Sequence, residues 1–223
     1  MSVFVLIPGA GGVAWYWHRV VPELQARGHE AVAVDLPGPD ESAGLPEYAD
    51  AVMAAIGGRR DGVMVAQSMG GFTAPVACAR TPVSLLVLVN AMIPLPGETP
   101  GDWWGNTGWE PARVAAAQAG GYPAEFDLAA YFLHDVPAEV AAAGEAHQYP
   151  EAGIAFGQPC AIDRWPDVPT RVLAGRDDRL FPLEFQRRVA RERLGAEIDV
   201  VPGGHLVALS RPAELTERLS RHL

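Results

Sequence analysis

Short, unbroken runs of apolar residues recur along this chain, and between most of them apolar residues return every third or fourth position. The runs are VFVLI (3–7), AVAVD (31–35), GVMVAQ (62–67), SLLVLVN (84–90), TRVLAG (170–175) and EIDVVP (197–202). They are apolar throughout instead of alternating, which is the pattern of parallel strands covered on both faces. Helical spacing fills the gaps: Trp15 to Arg27, with Val20, Val21 and Leu24 apolar and Gly28 as its stop, then Tyr48 to Ile56, Gly70 to Arg80, Leu183 to Leu194 and Pro212 to Leu223. Such alternation predicts an α/β fold: a mostly parallel, doubly wound sheet of about six strands with right-handed crossovers.

The alternation fails between Asn90 and Pro169. That span holds Pro94, Pro96 and Pro100, the cluster DWWGNTGW, and two Ala-rich helical stretches at 111–119 and 137–146. It is too long for a loop and too short for an ordinary separate domain. A helical cap at 91–169, inserted after the fourth strand into a core formed by 1–90 and 170–223, is the economical reading. No internal repeat is visible. At 223 residues and 49% hydrophobic content, the chain suffices for one sizeable core.

Composition narrows the chemistry. The formal charge is −10 and no Lys/Arg run occurs, so nucleic acid and anionic membrane are poor partners and a neutral or cationic small molecule is the expected one. All 17 basic residues are Arg. Without lysine there is no Schiff-base or PLP chemistry, no P-loop lysine and no Tyr-x-x-x-Lys relay. Cys78 and Cys160 have no metal-binding spacing and read as free, buried thiols of a reducing compartment. The start MSVFVLIPG lacks a basic n-region and breaks at Pro8, so it reads as a first strand, and no later run is long enough to span a bilayer. The expectation is a cytoplasmic monomer or homodimer without metal or cofactor.

Residues 7–15, IPGAGGVAW, admit two readings. Gly9, Gly11 and Ala14 fit the dinucleotide turn G-x-G-x-x-[G/A], with Asp35 placed as a ribose carboxylate. The same loop can offer backbone N–H groups to an oxyanion. The other strand ends decide between them. After GVMVAQ comes Ser68 in AQSMGG, a near match to the G-x-S-x-G elbow in which small neighbours allow a sharp strand-to-helix turn. After TRVLAG come Asp177 and Asp178; after EIDVVP comes His205. Ser, Asp and His in this chain order at three strand ends make a nucleophile, an orienting acid and a base. The Met69 N–H and one N–H of the IPGAGG loop would then receive the oxyanion.

These residues resemble a known family. FVLIPGAGGVAWYWHRVVPELQARGHEAVAVDLPG is similar to the opening of plant methylesterases, hydroxynitrile lyases and their bacterial relatives in the α/β-hydrolase superfamily. AQSMGG resembles their GHSLGG elbow, DDRLFPLEFQ their D-x-x-[IF]-P-x-x-FQ segment and GGHLVALSRP their D-H-x-x-x-L-x-x-P segment; FLHDVPAEVAAAG matches their cap more loosely. The resemblance implies an α/β-hydrolase fold and no cofactor. It puts the nucleophile at Ser68, the base at His205 and the acid at Asp178 over Asp177, since the family's acid lies eight residues before the Gln matching Gln186. It also assigns the oxyanion N–H groups to Ala10 and Met69. Pro8 and Gln67 stand where the family has His. Leu206 replaces the lyases' cyanide-handling Lys and Gly9 their pocket Thr, which argues against lyase chemistry.

The leading reading is a serine hydrolase of the carboxylesterase kind, acting on a small, fairly apolar ester or related carbonyl compound through an acyl-enzyme on Ser68. Its alternatives are a ligand sensor on the same fold with little turnover, cofactor-free C–C cleavage or perhydrolysis, and, more remotely, a nicotinamide oxidoreductase. Trp15, Gln67, Trp103 and Trp104 are the candidate substrate-binding residues, with Trp17 and Trp109 nearby in sequence; packing of the cap is the competing role for the tryptophans. His18 and His29 read as surface or packing residues, His222 is terminal, and His134 and His147 lie in the cap.

Overall fold

The computed structural model describes residues 1–59 and 62–221, so His222 and the end of the helix predicted to reach Leu223 lie outside the described residues. Six strands form one sheet, β1 (Val3–Ile7), β2 (Glu30–Ala33), β3 (Val63–Gln67), β4 (Leu85–Val89), β5 (Thr170–Gly175) and β6 (Ile198–Val201), in the order β2-β1-β3-β4-β5-β6. Every pairing is parallel. The central strands β1, β3 and β4 are buried at all five positions, whereas the edge strands β2 and β6 are largely half-buried, as one-sided pairing dictates.

Alternate strand residues face opposite ways, so each strand feeds two cores. Val5, Ile7, Met64, Ala66, Leu86 and Leu88 pack with α2 (Leu45–Ile56), α3 (Gly70–Arg80) and α8 (Leu183–Leu194). Phe4, Leu6, Val63, Val65, Leu85 and Val87 pack instead with α1 (Val20–Ala26) and α10 (Pro212–Ser220). The chain leaves β1 for β2 on one side and returns to β3 on the other, which makes the carboxyl ends of β1 and β3 the topological switch point. IPGAGG and Ser68 sit there.

Between β4 and β5 lie α4 (Pro100–Asn106), α5 (Trp109–Gly120), a π-helical turn Ala129–Leu133, α6 (Ala138–Gly144), a 3-10 turn Glu145–His147 and α7 (Gly153–Gly157); α9 (Val207–Ser210) precedes α10. The expected helix at 111–119 falls inside α5, and that at 137–146 divides into α6 and the 3-10 turn. DWWGNTGW supplies most of α4, where Thr99 Oγ1 caps the Asp102 N–H at 3.0 Å. Helix boundaries differ where local hydrogen bonds take over. Residues Ala14–Trp17 form a 3-10 turn and α1 begins only at Val20, while α2 starts at Leu45 because Glu47 accepts the Gly44 N–H at 2.9 Å. Asp35, which the sequence leaves without a role, accepts the Ala14 N–H at 2.8 Å and fixes that 3-10 turn. Both cysteines are free, but only Cys160 is buried and Cys78, expected buried as well, is half-buried; desolvation pushes each thiol up to about 12, with Glu98 adding to the effect at Cys160. Among the described residues no helix is long and apolar enough to cross a membrane.

One buried ion pair ties the helical insertion to the core. Arg193 of α8 holds Glu98, just before α4, through both terminal guanidinium nitrogens, and the two side chains are only 8% and 4% exposed. The Asn106 amide (2.9 Å) and the Leu95 N–H (3.0 Å) complete the carboxylate's shell. Burial works to raise the Glu98 carboxyl, but these donors outweigh it and hold it below the usual carboxylate range. Arg193→Ala strands that charge, so it is expected to destabilise the protein by about 3–5 kcal/mol in urea unfolding at neutral pH. A carboxyl held low contributes in full above its unfolded value and loses that contribution as pH falls through its folded one. The gap between wild type and Arg193→Ala should therefore shrink on acidification below the carboxylate range.

Candidate active site

Ser68 occupies the turn between β3 and α3 with φ of 51°, a left-handed conformation unusual for a side-chain-bearing residue. The turn can close because no side chain projects from Gly70 and Gly71. A Cβ on Gly70 would lie 2.6 Å from the Pro8 carbonyl oxygen, and one on Gly71 only 1.9 Å from that of Met92. The Ser68 carbonyl accepts the Gly71 and Met92 N–H groups, both at 3.0 Å, so the strained residue is held from two sides. Its hydroxyl stands beyond the end of the sheet at the start of α3, the positive end of an 11-residue helix.

His205 follows β6 in a loop gathered by Asn90. From the end of β4, the Asn90 amide donates to the carbonyls of Gly204 (3.0 Å) and His205 (3.1 Å), while its oxygen accepts the Gly175 N–H of β5 at 2.6 Å. Asn90 also has positive φ, 46°, a region asparagine tolerates better than most residues. The insertion adds a further grip, since Asp135 Oδ2 accepts the Gly204 N–H at 2.8 Å. His205 itself is fully buried, with the edges or faces of Phe132 and Phe181 at 5.1 and 5.0 Å.

The structure brings Ser68, His205 and Asp178 together in one hydrogen-bonded chain. His205 Nε2 lies 3.1 Å from Ser68 Oγ and Nδ1 lies 2.9 Å from Asp178 Oδ2. Asp178 is positioned by the Leu180 and Phe181 N–H groups on Oδ1, both 2.9 Å, and by the Gln186 amide on Oδ2 at 3.3 Å. Its neighbour Asp177 points elsewhere, pairing with the exposed Arg176 and accepting the Gly203 N–H. Ala10 and Met69 both line the cavity beside Ser68, and among the described residues neither N–H has an acceptor. In chemical terms, an imidazole touches a hydroxyl, a carboxylate holds the imidazole, and two amide N–H groups line the same cavity, a set able to support nucleophilic attack on a carbonyl.

The cavity over Ser68 has a volume of about 360 Å³, and among the described residues no Asp, Glu or Arg lines it. Of the four candidate substrate-binding residues, Trp15, Gln67 and Trp104 line it and Trp103 does not. Successive helical residues point about 100° apart, so Trp104 turns to the cavity while Trp103 turns inward. Trp103 is fully buried against Phe181 and Phe185, and its indole N–H is bonded to the Ile93 carbonyl at 3.1 Å. Gln67 is 3% exposed and donates to the His205 carbonyl at 3.4 Å. His147 reaches the cavity wall and stacks on Trp15 at 4.9 Å; His18 stacks on Trp15 at 4.2 Å from the exposed side. His29 packs against Phe4, and His134 lines a separate crevice behind Asp178. Sequence reasoning misses Asn90 and Asp135. A polar Asn closing an otherwise apolar strand run was the available signal for the first; nothing in FLHDVP marks the second.

A family model described as "Alpha/beta hydrolase family" matches residues 4–218. The chain belongs to the alpha/beta hydrolase family. It is 39% identical over 108 residues to a probable esterase of Oryza sativa subsp. indica, a match covering 43% of this chain; the chain spans only 41% of that relative's length. It is 27% identical to a pyrethroid hydrolase of Sphingobium wenxiniae over 97% of this chain and 85% of the relative. A solved polyneuridine aldehyde esterase superposes with a TM-score of 0.79 at 19% identity, covering 100% of this chain and 99% of its own, and so shares the α/β-hydrolase fold.

The left-handed backbone at Ser68 has a measurable cost. Glycine adopts that conformation without penalty, whereas alanine retains the strain. Ser68→Gly should be more stable than Ser68→Ala by about 1–2 kcal/mol in urea unfolding.

Proposed function

We propose that this protein is a serine esterase that cleaves a small, neutral, largely apolar ester through an acyl-enzyme on Ser68. The observation that carries this reading is the continuous chain from Asp178 through His205 to Ser68 Oγ, at 2.9 and 3.1 Å, on the floor of a cavity that no Asp, Glu or Arg among the described residues lines. His205 takes the hydroxyl proton as Ser68 Oγ attacks the ester carbonyl, and Asp178 stabilises the imidazolium. The tetrahedral alkoxide receives the Ala10 and Met69 N–H groups. Its collapse expels the alcohol, protonated by His205; a water, activated by the same base, then releases the acid. Residues 91–169 serve as a cap that supplies the apolar walls Trp104, Phe132 and Phe156. The name of the rice relative, a probable esterase, supports an ester as the bond cleaved.

An apolar wall also sets a preference. A carboxylate carried into it would lose its hydration without gaining a cation. A neutral p-nitrophenyl butyrate is therefore expected to turn over more than about tenfold faster than the p-nitrophenyl hemisuccinate. Wild type should label stoichiometrically with a fluorophosphonate and turn over p-nitrophenyl butyrate many times per molecule. Ser68→Ala should abolish labelling and lower kcat by about 10³-fold or more. Equal labelling of Ser68→Ala, or a single burst without sustained turnover, would overturn the reading.

A further inference from the structure

The turn that carries Ala10 is gripped from the insertion side. Gly9–Gly12 closes through the Gly12 N–H to the Gly9 carbonyl at 3.1 Å, with Gly11 at φ of 84°. Positive φ at the third position, and not at the second, is the type II turn, which calls for glycine there. A Cβ on Gly11 would moreover lie 2.7 Å from the Tyr149 carbonyl oxygen. Gly12 follows with φ of 70°, so two successive glycines leave this loop little conformational preference of its own. Its shape is set by what holds it.

The far end of the loop is held by the core: the Gly12 carbonyl accepts the Leu36 N–H at 2.7 Å, and Asp35 accepts the Ala14 N–H. The central peptide of the turn, between Ala10 and Gly11, has a different partner. Its N–H donates to Glu151 Oε2 at 2.5 Å, across 140 residues of sequence. Rotation of this peptide is what interconverts type I and type II turns, so a bond here selects the turn type. It also ties the peptide directly after Ala10 to the insertion, which fixes where the Ala10 N–H, in the preceding peptide, stands. The other Glu151 oxygen accepts the Tyr48 hydroxyl, and the adjacent Ala152 N–H binds the Gly38 carbonyl at 2.7 Å. Burial raises the Glu151 carboxyl above its usual range, against the opposing effect of the Tyr48 and Gly11 donors. Among the described residues no cation pairs with it. Such a carboxylate is a poor stabilising device, which leaves its directional bonds as its contribution.

We propose that Glu151 is a positioning residue for acyl transfer: from the insertion, its carboxylate anchors the Gly9–Gly12 turn in the place from which the Ala10 N–H faces the oxyanion. The proposal rests on the serine esterase reading above. It makes the oxyanion site complete only while the segment Tyr149–Ala152 is seated on the loop. Attack by Ser68 Oγ forms the C–O bond and moves the carbonyl π electrons onto oxygen. The misaligned N–H is therefore missed in the transition state more than in the ground state, and the loss falls on kcat.

The test compares Glu151→Ala and Glu151→Gln in the full chain, with p-nitrophenyl butyrate as substrate and phenylboronic acid as the tetrahedral analogue. Gln can present an oxygen to the Gly11 N–H and its amide to a reoriented Tyr48 hydroxyl; Ala presents nothing. Glu151→Ala should lower kcat by about 10–100-fold with KM changed less than about threefold, and weaken phenylboronic acid binding by a similar factor. Glu151→Gln should recover kcat to within about fivefold of wild type. Wild-type kcat in Glu151→Ala, a loss confined to KM, or a Gln variant as impaired as Ala would each overturn the proposal. Should Glu151→Ala not fold, Glu151→Asp, which withdraws the carboxylate by one methylene, is held to the same criteria. Ser68→Ala on the same substrate separates the two levels. If it retains turnover the esterase reading fails; if it is inactive and Glu151→Ala is not impaired, only the positioning role fails.

Discussion

A serine held in the left-handed region of backbone space is the constraint on which the rest of this molecule turns. Left alone, Ser68 would relax by one to two kilocalories' worth of strain, on the order of what a left-handed residue costs. It does not relax because its carbonyl is bound by two N–H groups, and because the Pro8 and Met92 carbonyls pack where side chains of residues 70 and 71 would stand. Three strand ends thus converge on one residue. Shifting Ser68 would require moving β1, β3 and the start of the insertion together.

The second half of the arrangement is organised by an amide. Asn90 joins β4, β5 and the loop bearing His205 with three hydrogen bonds, and Gln186 reaches it from α8 at 3.3 Å. This explains how a histidine on an irregular loop holds a fixed place without a helix or strand of its own. Phe132 and Phe181 close around the ring, so the Asp178 carboxylate meets it away from water, where an oriented hydrogen bond is strongest.

Much of this is legible in the residues. Parallel central strands must be apolar on both faces, so β1, β3, β4 and β5 announce themselves, and the residues just beyond them mark the ends where ligands bind. Ser68 and His205 are visible on that ground; the choice of Asp178 over Asp177 came from resemblance, since spacing alone treats adjacent aspartates alike. Trp103 shows the opposite case: a tryptophan beside Trp104 cannot be sorted into wall or core until the helical phase of α4 is known. The helix start at Leu45 is obscured by the Glu47 side chain bonded to the Gly44 N–H, and the one at Val20 by the 3-10 turn that Asp35 fixes ahead of it. Glu151 was illegible altogether, because its partner lies 140 residues away and the insertion carries no strand ladder to register it. Contacts made across such distances are properties of the tertiary packing, and no local pattern encodes them.

The helical insertion meets the sheet in sequence at only two places, after β4 and before β5, yet it furnishes Trp104, Phe132, Val140, His147 and Phe156 of the cavity wall. In terms of inheritance, the molecule holds two texts of unequal freedom. The strand ends are locked by reciprocal grips, so a change there disturbs several neighbours at once. Part of the wall lies in one contiguous stretch, while the rest, Trp15, Tyr16, Leu206 and Leu209 among it, belongs to the core. Exchange of that segment changes what enters the cavity, but only a replacement that keeps the grips made by Met92, Asp135 and Glu151 leaves the strand-end loops as they are.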